Sequence, residues 1–238
     1  MTQQTRKKII GILGGMGPLA TADLYKKIVL HTDAGCDQEH IRTIIDSNTA
    51  IPDRTAALLN GGPDPAAEMI KSAKILEKAG ADFIIMPCNT AHNFHSDVKA
   101  AVSIPVLHMI ELTREALKRR GIDCAGLLAT DGTIRTRIYQ KCFDGSGIEL
   151  LTPNEHDQKA VMDVIYKGVK AGNGSFDTGA IRETAEALMK RGAQSLILGC
   201  TELPLAFDLY GLDYPVTDPT LELAMGAIRA AGGKVKGE

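Results

Sequence analysis

Two stretches of this chain repeat one another. Ala79-Gly80-Ala81-Asp82-Phe83-Ile84-Ile85-Met86-Pro87-Cys88-Asn89-Thr90 lines up with Arg191-Gly192-Ala193-Gln194-Ser195-Leu196-Ile197-Leu198-Gly199-Cys200-Thr201-Glu202, and in both eight positions separate the glycine from the cysteine. The correspondence extends outward. Ile104-Pro105-Val106 is answered by Tyr214-Pro215-Val216, and Gly11-Ile12-Leu13 by Gly126-Leu127-Leu128. A chain made of two such halves is constrained to form two similar units, each burying its own copy of a short apolar run that ends at a cysteine.

Within each half, short β-branched runs alternate with stretches of helical period, the pattern of βαβ units around a parallel sheet. In the first half, Ile9–Leu13, Ile41–Asp46, Phe83–Met86 and Ile104–Leu107 read as strands, and Thr21–His31 and Ala66–Ala79 as helices. In the second, Ala125–Ala129, Ile148–Leu151 and Ser195–Leu198 read as strands, and Ile134–Cys142, Gln158–Ala171 and Thr178–Arg191 as helices. The expected fold class is α/β: two similar domains with parallel sheets, related by a pseudo-twofold axis. The helical stretch Thr220–Ala231 should pack back on the first half. The expected domains are therefore residues 1–108 plus 216–238, carrying Cys88, and residues 109–215, carrying Cys200.

Charge and composition narrow the function. The 27 basic and 29 acidic side chains of the 238 residues form no block of one sign, so there is no footprint for nucleic acid. Hydrophobic residues at 44% with 4% aromatics and no Trp describe an aliphatic core. The basic start Met1–Lys8 before Ile9–Leu13 superficially copies a secretion signal, but the apolar run is short and a glycine-rich turn comes directly after it. No run approaches the ~20 apolar residues that span a bilayer. The expectation is a soluble, cytoplasmic protein without membrane partners. Its five cysteines are then free thiols, not a disulfide framework.

Cys88 and Cys200 each close an apolar strand and precede polar residues and a helix-compatible stretch. Ligands of open parallel sheets bind at that strand end. Free N–H groups and the positive end of a helix dipole there favour a thiolate, and the same N–H groups can hold a substrate carboxylate. Two opposed sulfurs suit stereoinversion at an acidic carbon: a thiolate removes the Cα proton from one face while a thiol delivers one to the other. A free Cys is more often a small buried hydrophobe. Equivalent placement in a repeat argues against that for this pair, whereas Cys36, Cys124 and Cys142 lack the setting and keep that reading. Asn89, Thr90 and Thr201 suit helix caps that also donate to a substrate α-carboxylate. Glu202 and His92 can tune the thiols or relay protons, though His92 is equally a satisfied structural histidine.

The motifs Gly14-Gly15-Met16-Gly17-Pro18, Ile51-Pro52-Asp53-Arg54, Met86-Pro87-Cys88-Asn89-Thr90-Ala91-His92 and Leu198-Gly199-Cys200-Thr201-Glu202-Leu203-Pro204 resemble those of the aspartate/glutamate racemase family, over nearly the whole chain. The resemblance implies two flavodoxin-like domains with the active site in the cleft between them, catalysis without pyridoxal phosphate or metal, an amino-acid substrate and a homodimer. It also places a substrate-binding Arg at Arg54, with Pro52 and Asp53 beside it, in what reads as a loop. By position alone Arg54 would be a surface or structural residue, yet its guanidinium suits a two-pronged grip on a side-chain carboxylate. Lys170 matches a lysine near the distal carboxylate, with Lys167 a competitor for that role, and the turn around Met16 would supply backbone donors.

Other readings use fewer of these features. Gly15-Met16-Gly17-Pro18-Leu19-Ala20 fits a dinucleotide fingerprint, but Asp46 lies further on than the usual ~20 positions and the cysteine repeat is left without a role. Cys88 and His92 have a spacing that suits zinc, without a clustered third ligand. A dithiol redox protein, a non-catalytic binder of dicarboxylic amino acids, and the neighbouring chemistries of maleate isomerisation, hydantoin racemisation and malonate decarboxylation complete the alternatives.

Overall fold

The computed structural model describes residues 7–238; Met1–Arg6, most of the segment weighed against a secretion signal, lies outside the described residues. In chain order the first elements are β1 (Ile10–Gly14), α1 (Pro18–His31), β2 (Thr43–Ser47), α2 (Arg54–Leu59), α3 (Ala66–Lys78) and β3 (Phe83–Ile85). A 3-10 turn, Thr90–Phe94, leads into α4 (His95–Ala100) and α5 (Met109–Arg119). Next come β4 (Cys124–Ala129), α6 (Asp131–Thr136), α7 (Ile138–Phe143), β5 (Glu149–Leu151) and α8 (Glu155–Asp163), which runs into a π-helical turn at Val164–Val169. The chain ends through α9 (Gly179–Lys190), β6 (Ser195–Gly199), α10 (Glu202–Leu209), β7 (Val216–Thr217) and α11 (Pro219–Ala230).

Two compact units result. One holds the described residues up to Asp53 with Pro63–Met109 and Thr220–Glu238; the other holds Arg54–Gly62 and Ile110–Pro219. In the first, β1 lies between β2 and β3, all parallel. The second is a parallel sheet in the order β5-β4-β6-β7.

The repeat in the sequence is a repeat in packing. Met69, Ala73 and Leu76 form the buried stripe of α3, and Ile181, Ala185 and Leu188 form that of α9, each at the i, i+4, i+7 spacing of one helix face. Burial of a leucine such as Leu76 or Leu188 contributes roughly 1.5–3 kcal/mol. Each helix is stopped by a glycine in the left-handed region, Gly80 at φ 93° and Gly192 at φ 104°, a conformation in which a β-carbon is strained. The next residue then turns back: Ala81 N–H donates to Leu76 O and Ala193 N–H to Leu188 O. The cysteine-bearing strand starts at once in both units, and its far edge is made alike. Ile84 N–H donates to Pro105 O and Leu196 N–H to Pro215 O, both at 2.8 Å.

Four expectations change in detail. Ile104–Leu107 forms only a single parallel bridge, Ile84 to Val106, because Pro105 has no N–H for a continuing ladder. The helix expected over Ile134–Cys142 is two short ones, broken at Arg137, which sits at φ 54°. The one expected over Gln158–Ala171 begins earlier, at Glu155, and passes into the π turn. Arg54 opens a helix and not a loop, because the Thr-Ala-Ala-Leu-Leu after it contains strong helix formers.

Candidate active site

In the first unit Cys88 lies three residues beyond β3, its N–H closed onto Met86 O at 2.9 Å. It shares an apolar cluster with Met16 and Ile51, so the turn after β1 and the start of the Pro52 segment both pack on the cysteine side of the sheet. Asn89 and Thr90 are buried directly after it. Pro52 is half-buried and Asp53 exposed. The glycines before Met16 serve this packing. A β-carbon on Gly14 would sit 2.4 Å from Thr21 Cγ2, and one on Gly15 would sit 2.3 Å from Asn48 O. Gly15 N–H is already donated to Thr21 Oγ1 at 2.9 Å, so this donor is not open to a pyrophosphate.

His92 has both ring nitrogens engaged. Nε2 accepts from Met109 N–H at 3.0 Å, which leaves the proton on Nδ1, donated to Cys88 O at 2.9 Å. Burial, with His108 close by, drops its pKa from 6.5 to about 3, so the ring is neutral. That is the satisfied structural histidine, and it removes the zinc pairing with Cys88. Among the described residues no group of three His, Cys, Asp or Glu side chains could hold a metal ion.

The second unit gathers four of the candidates at one point. Cys200 comes directly after β6, and its Sγ donates to Glu202 Oε2 at 3.0 Å. Thr201 Oγ1 donates to the same oxygen at 3.3 Å, and Lys170 Nζ lies 2.9 Å from Oε1. Lys170 reaches this point from the end of the π turn. Single π turns recur at functional sites, where the wider turn re-aims the next residues. Gly168 makes room in that turn, since a β-carbon there would stand 3.0 Å from the Tyr210 hydroxyl. Lys167 pairs instead with Asp163 on the surface at 2.8 Å.

These groups shift one another's acidity. Burial works against the charges of Lys170 and Glu202, but their mutual attraction outweighs it: the lysine is held above its ordinary range and the carboxyl below its own. For Cys200, burial and then the Glu202 carboxylate both act against ionisation, so the thiol is pushed well above the ordinary cysteine range. This corrects the expectation that a helix start would favour a thiolate there, because burial together with a carboxylate in contact acts against the charge. Asn89 and Thr201 stand at N-cap positions but make no side-chain cap hydrogen bond, so for these two the capping expectation fails.

Arg54 is half-buried at the start of α2, which packs on α6. Sequence reasoning missed the Tyr166 ring, 5.5 Å below the Lys170 ammonium, although its place four residues before Lys170 was a usable signal. Of the remaining cysteines, Cys36 is exposed, against the buried reading, and Cys124 and Cys142 are half-buried. Among the described residues no helix is long and apolar enough to cross a membrane.

Comparison with known proteins agrees with this architecture. A family model described as Asp/Glu/hydantoin racemase matches residues 13–227. The broad specificity amino-acid racemase RacX of Bacillus subtilis (strain 168) is 30% identical over 226 residues, 92% of this chain and 96% of that protein. The structure of Picrophilus torridus aspartate racemase is similar with a TM-score of 0.82 at 35% identity, covering 96% of both chains. An aspartate racemase homologue from Pyrococcus horikoshii OT3 gives 0.77 at 28% identity, covering 95% of this chain and 99% of that one. The class so defined is an α/β isomerase, an amino-acid racemase. Within it, the chain belongs to the Asp/Glu/hydantoin racemase family.

Proposed function

We propose that the protein interconverts the L and D forms of aspartate or glutamate by proton transfer at Cα, with Cys88 and Cys200 as the two acid/base groups and no bound cofactor. The observation that carries this reading is the equivalence of the two thiols. Each lies just past the carboxyl end of the cysteine-bearing strand of its own sheet, entered from a matching helix and a matching left-handed glycine. Stereoinversion needs a base on one face of the carbon and an acid on the other, and a duplicated thiol supplies both from one chemistry. Lys170, Arg54 and the Cys88 segment with Asn89 and Thr90 would hold the carboxylates. Aspartate and glutamate differ by one methylene, worth only ~1–3 kcal/mol in a pocket.

In deuterium oxide, L-aspartate or L-glutamate should lose optical rotation and gain deuterium at Cα. Cys88→Ala and Cys200→Ala should each abolish racemisation. A variant lacking either sulfur that still racemised at the wild-type rate would overturn the two-thiol reading. The family description includes hydantoins, and the Bacillus subtilis relative is named for its broad specificity. A panel of amino acids and hydantoins followed by chiral chromatography therefore decides the substrate.

A further inference from the structure

Two acid/base thiols of equal character would leave a free enzyme loaded either way round. Here they are unequal. Cys200 Sγ, in a residue 8% exposed, stands 3.0 Å from Glu202 Oε2 in a donor's geometry. A thiol can make that bond; a thiolate cannot, and would face a carboxylate of like charge in a site shielded from water. Lys170 does not undo this, because its ammonium is bound to the other carboxylate oxygen and keeps Glu202 ionised. In the repeat, the position equivalent to Glu202 is Thr90, so the residue two places after Cys88 is neutral.

We propose that the free enzyme keeps its transferable proton on Cys200, held there by Glu202, and so accepts first the enantiomer whose Cα–H meets Cys88. This rests on the racemase reading above. In that turnover the Cys88 thiolate takes the Cα proton, breaking Cα–H and leaving the electron pair on carbon. The Cys200 S–H bond then breaks and its proton goes to the opposite face. The enzyme is left with Cys88 protonated and a Cys200 thiolate beside Glu202, a state restored by the reverse reaction or by proton exchange with water.

The test is a thiolate absorbance titration without substrate, using wild type minus Cys200→Ser to isolate Cys200 and wild type minus Cys88→Ser to isolate Cys88. Cys200 should be half-ionised at least about one pH unit above Cys88, a tenfold difference in proton affinity. Glu202→Gln, which keeps the shape and removes the charge, should lower the Cys200 midpoint by about one pH unit. Lys170→Met should raise it, since the carboxylate then acts uncompensated. A Cys200 midpoint at or below that of Cys88, or one unmoved in Glu202→Gln, overturns the proposal. Should Glu202→Gln not fold, an unmoved or lowered midpoint in Lys170→Met does the same. Because no substrate is present, a protein that titrates as expected yet fails to racemise would sink the racemase reading and leave the proton assignment standing.

Discussion

The backbone carbonyl of Cys88 accepts a hydrogen bond from Nδ1 of His92 at 2.9 Å, and the same ring takes the N–H of Met109 on its other nitrogen. One buried neutral imidazole thus ties the cysteine loop to the first residue of α5. Protonation would put a second N–H against the Met109 N–H and break that tie.

Folding stability should therefore fall with acid in a defined window. The unfolded chain binds this proton near pH 6.5 and the folded chain only near 3, so the stabilising difference is complete above about 6.5 and is lost progressively below it. At pH 5 the loss should be about 2 kcal/mol. Urea unfolding at pH 7 and pH 5 checks this, with His92→Gln expected to lose much less between the two. Equal losses, or a His92 ring in the wild type that titrates above pH 5 by NMR, would contradict it.

The two lysines considered for the substrate should separate cleanly. Lys167→Ala removes an exposed pair with Asp163 of a kind worth about 0.3–0.5 kcal/mol, and should leave KM and kcat unchanged. Lys170→Ala removes the cation from the Cys200 group and should raise KM for dicarboxylic amino acids at least about tenfold. Steady-state kinetics on both variants decides it, and the opposite ranking would transfer the role to Lys167.

Arg54→Ala should weaken dicarboxylic substrates by about 1.5–3 kcal/mol, the worth of a hydrogen bond to a charged group. Arg54→Lys should recover only part, because an ammonium offers no two-pronged grip. Unchanged KM values in both variants would remove Arg54 from the site.

Gly11 and Gly126 occupy equivalent places in β1 and β4, but they should not tolerate alanine equally. A β-carbon on Gly11 would stand 2.9 Å from Ala81 Cβ and 3.2 Å from Phe83 O, atoms fixed by the backbone. At Gly126 the atom nearer than 3.0 Å, at 2.8 Å, is Leu196 Cδ2, the end of a flexible side chain, with Leu188 Cβ and Cδ1 next at 3.2 Å. Gly11→Ala should cost about 1–3 kcal/mol and Gly126→Ala less. Thermal or urea denaturation of the two single variants measures the difference.

Much of the framework was legible because it depends on contacts between near neighbours in sequence. The helices before each cysteine strand arise from apolar residues at one-face spacing, and their ends from Gly80 and Gly192. Local reasoning failed at Arg137, where a helical pattern is broken by a single left-handed residue, and at Thr201, where cap chemistry gave way to a carboxylate partner. Arg54–Gly62 cluster with the second unit although the first half of the chain encloses them in sequence, and no periodicity signals that.

By itself, then, the chain determined that there would be two like sheets with a thiol at the same strand end of each. Helix period, strand alternation and glycine turns are short-range effects, and a duplicated sequence repeats them. The unequal character of the two thiols was decided by tertiary structure. A π turn brings Lys170 beside Glu202, and Glu202 meets Cys200 at a place where burial removes the water that would otherwise screen the thiol from the carboxylate.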